Sequence, residues 1–145
     1  MTNSNAAEPG LAPLHGQAQV RGDSTVALSS LTVSALLART VTRFAERRAV
    51  CFREQGIRWT WREFADEVDT LASGLLSLGL QPGDRLGIWS PNRAEWLVTQ
   101  FATARIGVIL VNINPAYRLS ELEYALNLSG CRALVTAERL KTSMY

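Results

Sequence analysis

Hydrophobic side chains recur every three or four residues in four stretches of the chain, which is the spacing of one face of an α-helix. The stretches begin near Thr32, Thr60, Ser90 and Ser120, residue types that favour the N-cap because their side chains accept a hydrogen bond from the first turn. We therefore predict four amphipathic helices. The residues expected on their buried faces are Val33, Leu36, Leu37, Val41 and Phe44; Phe64, Val68, Leu71, Leu75 and Leu78; Trp96, Leu97, Phe101 and Ala104; and Leu119, Leu122, Ala125 and Leu126.

The helix ends carry further signals. Thr-Trp-Arg-Glu from Thr60 and Ser-Glu-Leu-Glu from Ser120 both fit the capping box, in which the first side chain and the glutamate cap each other's backbone N–H. Ser90 precedes a proline, which suits the first helical position. The last three helices are predicted to stop at glycines, which accept positive φ at a helix C-terminus: Gly79, Gly107 and Gly130.

Short apolar runs alternate with these helices and predict strands at residues 85–89, 108–111 and 133–136. Before them, residues 49–52 and 57–60 flank a glycine-containing turn and predict a β-hairpin. Strands that alternate with helices are typical of a parallel sheet covered on both faces. We predict an α/β fold in which a helix and a β-hairpin precede a doubly wound, mainly parallel sheet.

The chain is expected to have two parts. Residues 1–30 lack a helical or strand period, contain the single histidine His15, and are predicted to form a disordered leader. Residues 31–145 hold the predicted elements. Residues 137–145 are expected to open a helix that has no stop signal, so we expect an incomplete, truncated domain.

Composition narrows the class of protein. The chain has 145 residues, of which 47% are hydrophobic and 19% charged, and its net charge is +2. Its longest apolar runs are far below the roughly 18 residues of a transmembrane helix, and the low charge argues against a nucleic-acid binder. Two cysteines cannot form a dense disulfide framework. We expect a globular protein of the reducing cytoplasm.

In a doubly wound sheet a ligand site is expected at the carboxyl ends of the strands, here at Ser90, Asn112 and Thr136. The chain has no glycine-rich phosphate loop of either common pattern, and N-capping accounts for Ser90. Asn112, Asn114 and Tyr117 form the polar group that best fits a site. Bonding of the asparagine side chains to the loop backbone is the reading we favour.

The remaining candidates have structural explanations. Cys51 and Cys131 are expected to be small buried hydrophobes, and Trp59 and Trp61 to pack in a corner of the core. No second histidine completes a catalytic triad. We therefore assign no catalytic, cofactor-binding or metal-binding residue. A cap, a turn or an exposed face explains each acidic candidate: Glu63, Asp66, Asp84, Glu95, Glu121 and Glu123.

Four segments resemble the adenylate-forming, AMP-binding enzymes. WTWREF at residues 59–64 is similar to the first core motif of that family, L-[TS]-Y-x-E-L, and residues 104–115 are similar to the second. PNRAEW at residues 91–96 and NPAYR at residues 114–118 most resemble the fatty acyl-CoA synthetases. The resemblance covers residues 32–145.

The resemblance implies a two-step reaction. A fatty acid or related carboxylate attacks ATP to give an acyl adenylate and pyrophosphate, assisted by Mg²⁺, and coenzyme A then displaces AMP to form the thioester. The phosphate loop, the adenine and magnesium segment and the catalytic lysine of the family have no counterpart in this chain. The chain is thus expected to be the N-terminal scaffold portion of such a ligase, to bind none of these cofactors well, to be inactive alone and to self-associate.

The sequence leaves two alternatives open. One is a non-catalytic α/β interaction module derived from the same scaffold, and the other is a fragment of an enzyme that adenylates an aryl or amino acid. Whether the chain is itself an enzyme is not decided by the residues.

Overall fold

The computed structural model describes residue 25, residues 27–140 and residues 143–144. His15 and most of the predicted leader lie outside the described residues. The chain divides into two units, Met1–Ser30 and Leu31–Tyr145, and the helices and strands of the described residues lie in the second. These are α1 (Val33–Phe44), β1 (Arg48–Phe52), a 3₁₀ turn (Arg53–Gln55), β2 (Ile57–Thr60), α2 (Trp61–Ser77), β3 (Arg85–Trp89), α3 (Ala94–Ile106), β4 (Ile109–Ile113), α4 (Leu119–Ser129), β5 (Ala133–Thr136), β6 (Arg139–Leu140) and β7 (Ser143–Met144).

A three-stranded parallel sheet forms the centre of the second unit, with the order β4-β3-β5. The central strand β3 is buried from Leu86 to Trp89, and β4 and β5 are its neighbours. Because β3 is covered on both faces, its apolar residues are continuous rather than alternating. This confirms the predicted α/β class with a parallel sheet.

The first two helix starts are as predicted. The hydroxyl of Thr32 accepts a hydrogen bond from the backbone N–H of Ala35 at 3.2 Å. At α2, the Glu63 N–H donates to the Thr60 hydroxyl at 3.2 Å, and the Thr60 N–H donates to the Glu63 carboxylate at 2.7 Å. This capping box holds the pKa of Glu63 below its ordinary value, because the backbone and then the hydroxyl of Thr60 bond the charged form.

Two hydrophobic layers cover the sheet. On one face α1, α2 and α3 pack against β3 and the hairpin of β1 and β2, and Phe64 lies at the centre with its ring 5.2 Å from that of Phe101. The ring centres of Trp59 and Trp61 lie 6.5 and 6.4 Å from that of Phe64, which confirms that the two tryptophans pack in a corner of the core. On the other face, Leu122 of α4 packs with Trp89 of β3 and Ile113 of β4.

The buried face of α3 differs from the prediction. Trp96, Leu97, Phe101 and Ala104 are only half-buried. The helix is packed through smaller residues, and its buried hydroxyls bond to carbonyls one turn earlier, Thr103 to the Thr99 carbonyl at 2.9 Å among them. Satisfied threonines can therefore replace large apolar residues at a close helix contact. The buried residues of α3 are Ala94, Val98, Thr99, Ala102 and Thr103.

Several other expectations are wrong in detail. The helix expected to open in residues 137–145 is absent, because the described residues there form the antiparallel pair β6 and β7. The capping box expected at Ser120 lies two residues earlier, where the Glu121 carboxylate accepts from the Arg118 N–H at 2.8 Å. The helix residues that were predicted to be buried but are exposed are Val33, Leu36, Leu78 and Leu119.

Candidate functional site

A cleft of about 360 Å³ lies at the carboxyl edge of the sheet, between the ends of β3 and β5 and the start of α3. Ser90 and Thr136, two of the three strand-end residues singled out in the sequence, line it. Its charged lining residues are Arg93 and Glu95 at the start of α3, and Glu138 and Arg139 after β5. The edge of a parallel sheet is where ligand sites of such folds form, so this cleft is the candidate site.

The start of α3 is fixed by a residue that is distant in the sequence. The side-chain carbonyl of Gln55, in the 3₁₀ turn of the hairpin, accepts the backbone N–H of Ala94 at 2.8 Å. The amide nitrogen of Gln55 donates to the Glu95 carboxylate at 2.9 Å. Arg93 approaches the same carboxylate at 3.3 Å. Gln55 therefore acts as a tertiary N-cap for a helix whose own N-cap residue, Arg93, makes no side-chain cap bond.

This network sets the charge of Glu95. Partial burial raises the pKa of Glu95, because it disfavours the charged carboxylate. Hydrogen bonds from Arg93, from the Glu95 backbone and from Gln55 stabilise the charged form and lower the pKa by more, so it lies below its ordinary value. Glu95 is consequently a carboxylate near neutral pH, and its two oxygens are engaged by neighbouring side chains. A group held in this form accepts hydrogen bonds and is poorly suited to act as a general acid.

The strand-end hydroxyls are also engaged. The expectation that Ser90 is the N-cap of α3 is wrong, because the helix begins four residues later and the Ser90 hydroxyl donates to the Pro91 carbonyl at 3.0 Å. Thr136 donates in the same way to the Ala137 carbonyl at 3.0 Å. Both hydroxyls retain only acceptor capacity toward a ligand in the cleft.

Asn112, Asn114 and Tyr117, which the sequence suggested as a polar site, do not form one site in the structure. Asn112 lies within β4, opposite Ile88, rather than after the strand, and it is exposed. Asn114 accepts the Ala116 N–H through its side chain at 2.9 Å, which confirms that this asparagine bonds the loop backbone. Tyr117 instead lines a separate small depression with Tyr124.

The other candidates keep structural roles, with one correction. Cys51 is exposed on the hairpin, because residues alternate between the faces of β1 and Cys51 lies on the outer one. Cys131 is half-buried, with its sulfur 3.2 Å from the Ser129 hydroxyl. Asp84 caps its turn by accepting from the Gln81 N–H at 2.8 Å. The part of the chain that the structure describes contains no group of three metal-ligating side chains.

An apolar groove of about 530 Å³, which the sequence did not suggest, lies between β2, α2 and α3. Trp59, Leu71 and Val98 form its walls, and Glu67 and Thr70 lie on its rim. A lining of this kind suits an alkyl or aromatic group or a packed protein segment rather than a phosphate. The gap between two helices and a hairpin leaves no periodic trace in a sequence, which is why the pattern did not reveal it.

Comparison with known proteins decides the family. The family model described as AMP-binding enzyme matches residues 37–144. The chain belongs to the AMP-binding enzyme family. Over 133 residues, 92% of this chain, it is 46% identical to the medium-chain acyl-CoA ligase ACSF2, mitochondrial, of both Bos taurus and Homo sapiens. The chain spans 22% of the length of each of these relatives.

Solved structures of AMP-binding enzymes share the fold. The N-terminal subdomain of NpsA from Klebsiella oxytoca matches with a TM-score of 0.69 and 26% identity, over 78% of this chain and 29% of that chain. A fatty acyl-CoA synthetase from Mycobacterium tuberculosis matches with a TM-score of 0.70 over 72% of this chain and 21% of that chain. At 23% identity the second match shows the fold alone.

The cofactors that the AMP-binding family implies do not fit the described residues. The cleft offers engaged hydroxyls, a paired Arg93 and Glu95, one further residue of each charge (Arg139 and Glu138), and no glycine-rich phosphate loop. The described residues also lack a carboxylate cluster for Mg²⁺. We assign no ATP, Mg²⁺ or coenzyme A ligand to the described residues.

Within residues 27–140, no helix has both the length and the apolar character to cross a bilayer.

Proposed function

We propose that this chain is the N-terminal scaffold portion of a fatty-acid–CoA ligase. The observation that carries the proposal is the 46% identity over 133 residues to medium-chain acyl-CoA ligases, since the family model alone does not specify the acid. The core supports a scaffold role, because Phe64, Leu86 and Val68 are at most 2% exposed and lock the helices onto the sheet.

In the whole ligase, a medium-chain carboxylate would attack the α-phosphate of ATP, with Mg²⁺ present, to give the acyl adenylate and pyrophosphate. The thiol of coenzyme A would then attack the acyl carbon, form the thioester and release AMP. The residues described here bind none of these molecules in the proposal. Their part is to hold the carboxyl edge of the sheet and the start of α3 in one geometry, through the bonds of Gln55 to Ala94 and Glu95. A rigid edge positions groups that are supplied from elsewhere in a ligase.

The isolated chain should therefore be inactive. The direct assay is ATP–pyrophosphate exchange by the purified 145-residue chain in the presence of octanoate. We expect no exchange above that of a matched preparation without the chain. Exchange that depends on the fatty acid would overturn the inactive-scaffold proposal, because it requires a complete adenylation site within these residues.

A chimera tests the scaffold role positively. The matching segment of the human medium-chain ligase would be replaced by residues 31–145 of this chain, and the same ligase without that segment would serve as the control. We expect the chimera to recover fatty-acid-dependent exchange and the deletion to remain inactive. A chimera that folds but activates no fatty acid would contradict the proposal.

Two alternatives have their own observations. An interaction module is favoured by exposed apolar residues on both edge strands, Ile109 at 48% and Leu134 at 36%, which also support self-association of the isolated chain. A different acid is favoured by the fold match to NpsA, structures of which hold anthranilyl and hydroxybenzoyl analogues. Comparing octanoate with benzoate as substrates of a complete ligase that contains this chain in its natural context would separate a fatty from an aryl acid.

Location also belongs to the proposal. We expect this chain in the cytoplasm, whereas the ACSF2 relatives are named as mitochondrial. Fractionation of cells that express the full chain with a C-terminal tag would distinguish the two compartments. Recovery with mitochondria would contradict the cytoplasmic expectation.

A further inference from the structure

The charges of the second unit are segregated along the chain. Residues 31–62 carry seven arginines and two glutamates, a net charge of +5, whereas residues 63–140 carry six arginines and nine acidic residues, a net charge of −3. The overall charge of +2 conceals this division. A net charge concentrated in one helix and one hairpin creates a local positive potential that the whole-chain value does not indicate.

The solvent face of α1 concentrates this charge. Leu36, Arg39 and Arg43 follow each other at three- and four-residue intervals, on the side of the helix away from buried Leu37, and all three are exposed. Arg47 follows four residues after Arg43. We call Leu36, Arg39, Arg43 and Arg47 the α1 surface.

The arginines of the α1 surface have no ion-pair partner in the described part of the chain. No carboxylate among the described residues lies within 4.0 Å of Arg39, Arg43 or Arg47. The nearest acidic residue in the sequence, Glu46, is paired with Arg62 at 2.9 Å. The guanidinium carbons of Arg43 and Arg47 lie 5.3 and 5.2 Å from the ring centre of Phe44. Cation–π contacts with one ring therefore hold two positive charges close together.

Apolar side chains accompany these charges. Leu36, at the N-terminal end of the α1 surface, is 45% exposed, and Leu31 and Val33 near the start of the helix are 43% and 49% exposed. Arginines beside exposed aliphatic groups match a bilayer surface with anionic headgroups, where the side chains enter the interface and the guanidinium groups contact phosphate. Nucleic acid would instead favour exposed aromatic groups for stacking, and Phe44 is half-buried beneath its arginines.

We propose that the α1 surface docks this protein on an anionic membrane surface. The occupant is a lipid bilayer that contains phosphate headgroups with net negative charge. Docking is reversible and peripheral, since α1 is amphipathic and remains packed on the core through Leu37. The inference is independent of the proposed ligase function, because none of its residues lines the carboxyl-edge cleft.

Vesicle co-sedimentation of the full chain tests the proposal. We expect binding to mixed phosphatidylcholine and phosphatidylglycerol vesicles, weak binding to pure phosphatidylcholine, and release as salt is raised. The double variant Arg39→Gln and Arg43→Gln should bind about thirtyfold more weakly, since each arginine near such a surface contributes about 1 kcal/mol and 1.4 kcal/mol is a factor of ten. Leu36→Ser should weaken binding about threefold or more through the lost apolar contact.

The matched control is Arg85→Gln with Arg118→Gln, which removes the same charge from exposed positions outside the α1 surface. We expect this control to bind within about twofold of the parent chain, and all variants to keep the parent's thermal midpoint. Equal loss in the control, equal binding to neutral vesicles, or binding to RNA without binding to anionic vesicles would each overturn the proposal.

Discussion

Replacement of Gln55 by alanine tests whether the hairpin fixes the start of α3. Gln55 accepts the N–H of Ala94, a residue that is 0% exposed, and donates to Glu95. In Gln55→Ala the backbone N–H of Ala94 loses its hydrogen-bond acceptor, and water cannot readily replace it because Ala94 is buried. An unsatisfied buried donor costs about 1 to 3 kcal/mol, and loss of an N-cap typically costs about 1 kcal/mol.

We therefore expect Gln55→Ala to lower the free energy of unfolding by about 2 kcal/mol, and the thermal midpoint by about 7 to 8 °C. Urea unfolding followed by far-ultraviolet circular dichroism gives the first quantity. Glu54→Ala is the matched control, because Glu54 is exposed in the same 3₁₀ turn and should change stability by no more than about 0.5 kcal/mol.

Gln55→Glu separates the two bonds. The new carboxylate can still accept the Ala94 N–H, but it cannot donate to Glu95 and repels it, so we expect a smaller loss than in Gln55→Ala at neutral pH. Protonation on acidification restores the donor and should shrink the difference from the parent chain. If Gln55→Ala is as stable as Glu54→Ala, the tertiary cap contributes nothing and the reasoning is refuted.

Three further predictions concern the sheet, the caps and the surface. A Cβ at Gly87 would lie 3.1 Å from side-chain carbons of Ile113, Leu126 and Leu134, so Gly87→Val should destabilise the fold by about 2 kcal/mol in urea, and an unchanged midpoint would contradict this packing. The pKa of Glu63 lies below its ordinary 4.5, so its contribution to the free energy of unfolding is complete above pH 4.5 and is lost as the pH falls through the folded pKa. Glu63→Gln should therefore lose less stability than the parent chain on acidification. Equal losses of unfolding free energy in the two proteins would exclude the effect. Because apolar residues are exposed on both edge strands, sedimentation should show a mass that rises with concentration, and a monomer at all concentrations would refute this.

The features that the sequence predicted best are local. The capping box of Thr60 and Glu63 spans four residues, and its geometry is encoded by residue type and spacing alone. Strands β3 and β5 have the predicted bounds, because each is a continuous apolar run between a turn or a helix stop and a polar residue. The parallel arrangement then follows from the alternation of strands with helices.

The features that were mispredicted depend on distant residues. Ser90 with a following proline satisfies the local rule for a helix start, yet α3 begins at Ala94 because its first N–H finds an acceptor 39 residues away, on Gln55. Strand β4 continues past the apolar run to Ile113 because it pairs along β3 as far as Trp89. Asn112 is thereby drawn into an edge strand, where a polar side chain can face solvent without penalty.

The candidate site shows the same division between local and distant signals. The sequence located the carboxyl edge through Ser90 and Thr136, but it explained Glu95 only by a cap, a turn or an exposed face and gave Arg93 no role, although both line the cleft. Their roles depend on the hairpin, which brings Gln55 to the helix. The residue pattern of one helix or strand does not indicate which side chain from another element will contact it.

These contacts also explain why this edge does not act by itself in the proposed ligase. The Ser90 and Thr136 hydroxyls donate to adjacent carbonyls, and the Ala94 N–H, which an anion would otherwise use at a helix start, is taken by Gln55. The Glu95 carboxylate is held charged by Arg93 and Gln55. A phosphate that entered the cleft would have to displace these bonds, in a lining that carries two acidic residues, Glu95 and Glu138, beside Arg93 and Arg139. In the proposed ligase, further donors and cations would come from other residues, and this edge would contribute the fixed geometry against which they act.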